Sequence, residues 1–207
     1  MMREPLHRLT PLGVMVLALL AEGDMHPYEM IRLMRFRRDD RLVAITNGTV
    51  YHTVARLERA GLLAEVGVDR EGNRPERTTY TLTDAGARAV REWVWRELSH
   101  IDRPAEFRIA LAEAHNLERP DVIALLRERR KALSASLAEH ADGRRGALAK
   151  GVPPQYLLEL ERQETMLTAD LDWLDALILR LEREEFPWGN AGPPTDRYLA
   201  QRKAARQ

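Results

Sequence analysis

Apolar residues recur at helical spacing in three short segments at the start of the chain. The first segment, "LGVMVLALLA", follows Thr10, a residue type that caps helices, and Pro11, a residue that suits a first helical turn. A second segment begins near Pro27, and a third, "NGTVYHTVARLERAGLL", follows Thr46. Because each segment has apolar positions on one side only, we predict three consecutive short helices that share a core.

The pattern then changes from helical to extended. Residues 62–69 and 77–83 are rich in strand-forming types, and "REGNRPE" between them supplies the glycine and asparagine that a hairpin tip requires. A further amphipathic segment follows at residues 84–100. The order helix, helix, helix, strand, tip, strand, helix is that of a winged helix-turn-helix.

The second half of the chain has a mainly helical pattern. A long helix is predicted from near Pro120 until a Gly- and Pro-rich loop at residues 143–154, and a second long helix at residues 155–185. Leucines and isoleucines on both helices follow heptad spacing, which is typical of one helix lying along another. We predict that this seam is a homodimer interface, although a helical hairpin within one chain would use the same pattern. The seam consists of Leu126, Leu133, Leu137, Leu167, Leu171, Leu174, Ile178 and Leu181.

Together these elements predict a mainly α protein with three parts. Residues 1–100 are expected to form a winged helix-turn-helix domain with a two-stranded β-wing. Residues 101–186 are expected to form an α-helical dimerisation domain. Residues 187–207, which are rich in Gly, Pro and charge, are expected to be a flexible tail.

Composition narrows the class of protein. The formal net charge of the 207 residues is zero, so DNA binding would have to depend on local patches. The chain has no cysteine, which excludes disulfides and thiolate sites and fits the reducing cytoplasm. The apolar run at residues 12–21 is too short to span a bilayer, and Glu4 and Pro11 interrupt the basic stretch that a signal peptide would need.

The third predicted helix has the residue types expected of a DNA-recognition helix. Val50, Val54 and Leu57 fall on its inner face, and small or hydrogen-bonding residues occupy the outer face, which a major groove could accept. Any surface helix has a polar outer side, but here a basic ribbon lies next to it, and such a ribbon can hold phosphates. The predicted DNA contacts are Thr46, Asn47, Gly48, Thr49, Tyr51, His52 and Arg56 of the helix, and Arg70, Asn73, Arg74 and Arg77 of the ribbon.

Three motifs carry a family resemblance: "HPYEM" at residues 26–30, "GTVYHTVARLERAGL" at residues 48–62 and "YTLTDAG" at residues 80–86. With them the chain closely resembles the PadR family of bacterial transcriptional regulators, and its C-terminal half resembles the longer subgroup, whose last helices form the dimer. The resemblance implies a homodimer that binds a palindromic operator, usually as a repressor. It also implies that Tyr28 and Tyr51 lie close to phosphate.

The same resemblance implies that a small aromatic effector could release the DNA. Trp93, Trp95 and Trp173 are the candidate contacts for such a compound, although core or interface packing is the simpler interpretation of Trp93 and Trp173.

Other functions have less support in the sequence. No two of the six histidines are spaced three or four residues apart, and the chain has no phosphate-binding glycine loop or nucleophile elbow, so we predict no metal, no cofactor and no enzymatic activity. A MarR-like regulator would have the same DNA-binding module but a dimer built from helices at both ends of the chain. The long helices here all follow the wing. A winged-helix domain used only for protein contacts would need an apolar outer face on the third helix.

Overall fold

The computed structural model describes residues 9–69, 77–189 and 196–206, which form a mainly α-helical protein with one two-stranded sheet. This confirms the predicted fold class. The helices are α1 (Pro11–Ala21), α2 (Pro27–Arg37), α3 (Asn47–Arg59), α4 (Asp84–Ser99), α5 (Pro104–Ala112), α6 (Arg119–Ala149), α7 (Leu158–Leu181) and α8 (Asp196–Arg206). The strands are β1 (Leu63–Asp69) and β2 (Arg77–Leu82), and short 3₁₀ turns lie at Asp39–Arg41, Ala114–Asn116 and Pro154–Tyr156.

Threonine caps set the starts of three helices in the first half. The Thr10 hydroxyl accepts a hydrogen bond from the N–H of Gly13, and the Thr83 hydroxyl accepts one from the N–H of Gly86. Thr46 plays the same role for α3. Because each cap satisfies a backbone N–H that the helix itself leaves unpaired, these residues fix where the helices begin.

The antiparallel wing is tied to the first two helices by its second strand. Leu63 of β1 pairs with Leu82 of β2, and the register shifts between Glu65 and Gly67. Tyr80 exchanges two backbone hydrogen bonds of 3.0 Å with Met25, in the connection between α1 and α2. This bridge holds the wing against the connection between α1 and α2.

Helices α6 and α7 form an antiparallel hairpin, and α6 is longer than predicted. It continues through Gly143 and Gly146, where the sequence predicted a loop, because α7 packs along it and Arg144 pairs with Glu164 across the hairpin at 2.6 Å. The helix ends at Ala149, and Gly151, just after the cap residue Lys150, has a left-handed φ of 79°. The N–H groups of Gly151 and Val152 then bond back to the carbonyls of Leu148 and Ala147, which is a Schellman motif.

The heptad seam is buried inside this hairpin, which corrects the predicted dimer interface. Two further ion pairs, Arg127 with Glu182 at 2.6 Å and Arg130 with Asp175, flank the seam. The structure therefore realises the hairpin alternative, and a second copy could not reach the buried members of the seam without opening it. Buried in the core are Leu126, Leu133, Leu167, Leu174, Ile178 and Leu181, with Leu137 and Leu171 partly buried against them.

The end of the chain also differs from the prediction of a flexible tail at residues 187–207. Residues 196–206 form α8, which packs against α2 and buries the side chain of Ala205. Trp188 lies between α7 and α8 along the chain, and its indole N–H donates to the carbonyl of Leu117 at 2.9 Å. Sequence composition did not reveal this order, because it depends on partners that are far away in the chain.

Candidate nucleic-acid interface

Helix α3 presents one buried face and one exposed face, as its pattern predicted. Val50, Val54 and Leu57 are buried in the core, and Thr53 is buried beside them. The solvent-exposed side forms the candidate surface, and it keeps six of the seven residues proposed on this helix. Exposed are Thr46, Asn47, Gly48, Thr49, Tyr51 and His52.

A reciprocal cap holds the first turn of α3. The Thr46 hydroxyl accepts from the N–H of Thr49 at 3.1 Å, and the Thr49 hydroxyl accepts from the N–H of Thr46 at 3.0 Å. In the part of the chain that the structure describes, the N–H groups of Asn47 and Gly48 have no hydrogen-bond partner. Because they point out of the positive end of the helix dipole, they suit an anion such as a phosphate.

Gly48 leaves the surface open at this point. A methyl group built on its Cα would meet no atom within 4 Å. The helix can therefore approach another molecule closely here, which matters for a helix that enters a groove.

Aromatic side chains join the N-terminal ends of α2 and α3. The rings of His26 and Tyr51 meet edge to face with their centroids 6.2 Å apart, and Tyr51 is 45% exposed. His26 also caps α2, because its Nδ1 accepts from the N–H of Tyr28 at 3.1 Å. His26 therefore contacts the ring of Tyr51 and the backbone of Tyr28, the two residues that the resemblance places near phosphate.

The ring of Tyr28 also contacts a cation on the same face of α2. The guanidinium of Arg32 lies 5.8 Å from the ring centroid of Tyr28 and 5.8 Å from that of Phe36. The spacing of four residues, which places side chains on one helix face, was the signal that could have identified Arg32.

Arg56 is less available than the sequence indicated. It is half-buried, and its Nη2 donates to the Thr10 hydroxyl at 2.8 Å. Its guanidinium therefore ties α3 to the start of α1, which is a positioning contact.

Of the wing, the structure describes the two strands β1 and β2. Arg70, Asn73 and Arg74 lie outside the described residues. Arg77 begins β2, where it pairs through its backbone with Asp69.

The three candidate effector residues do not share one environment. Trp93 is 3% exposed and packs in the core, which contradicts an effector role for it. Trp173 is 44% exposed and meets Phe107 edge to face at 6.5 Å, whereas Trp95 is exposed on the outer side of α4. A cavity of about 420 Å³ lies instead between α1, α4 and Trp188, a tryptophan that the sequence reasoning had not considered.

Residues 16–92 match the transcriptional regulator PadR-like family. The chain carries a PadR-like domain. This domain extends from α1 into α4 and so contains α2, α3 and both strands of the wing. The candidate surface lies entirely within it.

Three solved structures are similar to the chain. PadR of Bacillus subtilis in complex with operator DNA is 18% identical, and the match covers 84% of this chain and 100% of that chain, with a TM-score of 0.40. PadR of B. subtilis in complex with p-coumaric acid is 17% identical over 84% of this chain and 100% of that chain, with a TM-score of 0.35. A PadR-like transcriptional regulator from Bacillus cereus is 15% identical over 85% of this chain and 100% of that chain, with a TM-score of 0.37. No curated protein matches the chain.

No cluster of three or more His, Asp or Glu side chains among the described residues could hold a metal ion. None of the described helices is both long and apolar enough to cross a membrane.

Proposed function

We propose that the chain is a sequence-specific DNA-binding transcriptional regulator that acts in the cytoplasm as a homodimer on a palindromic operator, where it represses transcription. The observation that carries this proposal is the exposed face of α3, with its unpaired N–H groups and the open position at Gly48. The PadR-like domain, which spans this face, supports the same function.

Each group on this surface has a role that follows from its chemistry. Helix α3 enters the major groove, where Asn47 and His52 reach base edges and the first-turn N–H groups hold a phosphate. Tyr28 and Tyr51 donate to backbone phosphates on either side. From the sequence alone, Arg70, Asn73, Arg74 and Arg77 of the wing grip phosphates or enter the neighbouring minor groove.

A second seam on α7 is the better candidate for the dimer interface. Met166, Ala169, Trp173 and Ala176 are spaced by three, four and three residues, and all four are exposed. Met166 is 46% exposed, and a partner chain that covered this apolar side chain would remove it from water, which is favourable. The two alanines would let a second copy of α7 approach closely, so we assign this face to the partner chain.

Dimerisation would set the distance between the two copies of α3. Two copies of α3 must lie about 34 Å apart to enter successive major grooves on one side of the duplex. A small aromatic effector, bound at Trp95 or Trp173 or in the cavity beside Trp188, would release the DNA by changing that distance.

Selection of bound fragments from the source genome tests the function. We expect the wild-type protein to enrich fragments that share a palindrome. His52→Ala and Tyr51→Ala should bind the selected fragment more weakly, whereas Lys131→Ala on the exposed side of α6 should bind as the wild type does. Failure to enrich any fragment, together with capture of a protein partner by the same surface, would instead favour a winged-helix module for protein contacts.

A further inference from the structure

The C-terminal helix α8 lies in an acidic groove on the winged helix-turn-helix domain. The groove is formed where α1 gives way to α2, and its walls carry the carboxylates of Glu22 and Glu29 and the carbonyl of Asp24. Helix α8 thus links the two ends of the chain at a position next to the candidate DNA surface.

A buried ion pair lies at the centre of this contact. Arg202 meets Glu29 at 2.9 Å, with side-chain exposures of 10% and 8%, and its Nη2 donates to the carbonyl of Asp24 at 3.1 Å. Two charges buried together depend on each other, because removal of one leaves the other without compensation. The remaining nitrogen, Nη1 of Arg202, is buried without a hydrogen-bond partner among the described residues. The pair therefore holds α8 to α2 without being fully satisfied.

A second set of contacts closes the groove at its edge. Arg37 forms two hydrogen bonds with the carboxylate of Glu22, at 2.6 and 2.7 Å. The same guanidinium lies 5.7 Å from the ring centroid of Tyr198, whose hydroxyl is 3.5 Å from the Glu22 carbonyl. Helix α8 is thus attached by charge and aromatic contacts as much as by apolar burial.

We propose that this groove is a docking site for a basic helix, and that α8 occupies it as a clamp that fixes α2 for DNA binding. Glu29 directly follows Tyr28, whose backbone N–H donates to His26, and the His26 ring also contacts Tyr51 of α3. A change at Glu29 would therefore act on the first turn of α2, which carries Tyr28 and follows the His26 that contacts Tyr51.

The clamp can open because α8 depends on the groove for its structure. An isolated helix of 11 residues is marginal in water, so α8 would lose its helical order on release. Release would also expose the carboxylate of Glu29 beside the DNA surface, where its negative charge opposes phosphate. Docked α8 therefore corresponds to the form that binds DNA, and released α8 to a weaker form.

Two variants on the same helix, Arg202→Ala and Lys203→Ala, test the clamp in the full-length protein. Arg202→Ala removes the buried charge, and Lys203→Ala removes the same charge from the exposed side of α8. With Arg202→Ala we expect the amides of α2 to exchange with solvent at least roughly tenfold faster, because the helix loses its support. We expect operator affinity to fall by about tenfold for the same variant, and Lys203→Ala to change either quantity much less.

The exchange measurement requires no DNA, so it tests the docking site even if the proposed function is wrong. The affinity measurement rests on that function, and it is informative only where the wild-type protein binds an operator. Equal α2 exchange in the two variants would refute the clamp. Faster exchange with unchanged operator affinity would refute the coupling to DNA.

A pair of further variants guards against simple unfolding. Ala205→Asp should displace α8 while both members of the ion pair remain, and should reproduce the effects of Arg202→Ala. The charge exchange of Glu29→Arg with Arg202→Glu should restore slow α2 exchange, at least in part, relative to either single change. If the double variant is no better than the single ones, the Arg202–Glu29 contact is not what holds the helix.

Discussion

Arg56 of α3 donates a hydrogen bond of 2.8 Å to the hydroxyl of Thr10, the residue that caps α1. The same hydroxyl accepts from the N–H of Gly13 at 3.2 Å. One oxygen therefore both starts the first helix and fixes the candidate recognition helix against it. The direction of α3 depends on this contact as well as on the apolar core.

Loss of the Thr10 hydroxyl should destabilise the protein and weaken DNA binding together. Thr10→Val keeps the shape of the side chain but removes the acceptor, and we expect the free energy of unfolding in urea to fall by about 1–3 kcal/mol. Thr10→Ser keeps the acceptor and is the matched control, with an expected change below about 0.5 kcal/mol. Equal losses in the two variants would mean that the methyl group, and not the hydrogen bond, is what matters.

Two glycines should respond to alanine in opposite ways. A methyl group on Gly86 would lie 2.0 Å from the Leu62 carbonyl oxygen, so Gly86→Ala should lower the free energy of unfolding by about 1–3 kcal/mol or more. Gly48→Ala adds its methyl group to open space on a helix and should raise it by up to about 1 kcal/mol. The same methyl group should nevertheless weaken operator binding, because it lies on the surface that approaches DNA. Thermal unfolding and fluorescence anisotropy measure the two effects, and tighter DNA binding by Gly48→Ala would contradict the assigned surface.

The seam on α7 makes a prediction about assembly. Met166→Glu places a charge in the proposed interface, and we expect the dimer dissociation constant to rise by about tenfold or more in sedimentation experiments. Met166→Leu keeps an apolar side chain of similar size at the same position and should leave assembly unchanged. Leu174 is unsuitable for this test, because it is 1% exposed inside the hairpin and a charge there should unfold the chain. Unaltered assembly of Met166→Glu would place the dimer contact elsewhere.

The residues that act locally were predictable from the sequence. Thr10 and Thr46 cap the helices whose starts their positions predicted, because a cap uses partners only a few residues away. The same holds for the inward face of α3, which follows from helical periodicity alone.

The residues that depend on distant partners were not predictable in this way. A heptad seam requires another helix but does not say which one, so the leucines of α7 fit a dimer in sequence and pack on α6 in the structure. Arg56 was placed on the correct helix, but its bond to Thr10 depends on how two helices cross. Arg202 and Glu29 lie near opposite ends of the chain, and no local pattern joins them.

Stability should depend on pH through Glu113, a partly buried glutamate that directly follows α5. The pKa of Glu113 is raised from 4.5 to about 7, mainly by burial and also by the nearby carboxylates of Glu22 and Asp39. Arg37 and a hydrogen bond of 3.2 Å from the Asn116 side chain favour the charged form, but burial is the larger effect. Burial likewise raises the pKa of Asp39, so both carboxyl groups resist ionisation.

The sign of the pH effect follows from the direction of this shift. Because the folded state holds the Glu113 proton more tightly than the unfolded state does, the protonated glutamic acid favours folding below pH 4.5, and this contribution is lost as the pH rises towards about 7. Glu113→Gln mimics the neutral form, so it should stabilise the protein relative to the wild type at pH 8 by up to about 3 kcal/mol and have little effect at pH 4.5. Thermal unfolding across this range measures the difference, and Glu139→Gln, at an exposed position on α6, provides the control. A difference between Glu113→Gln and the wild type that stays the same from pH 4.5 to pH 8 would show that Glu113 ionises normally in the folded chain.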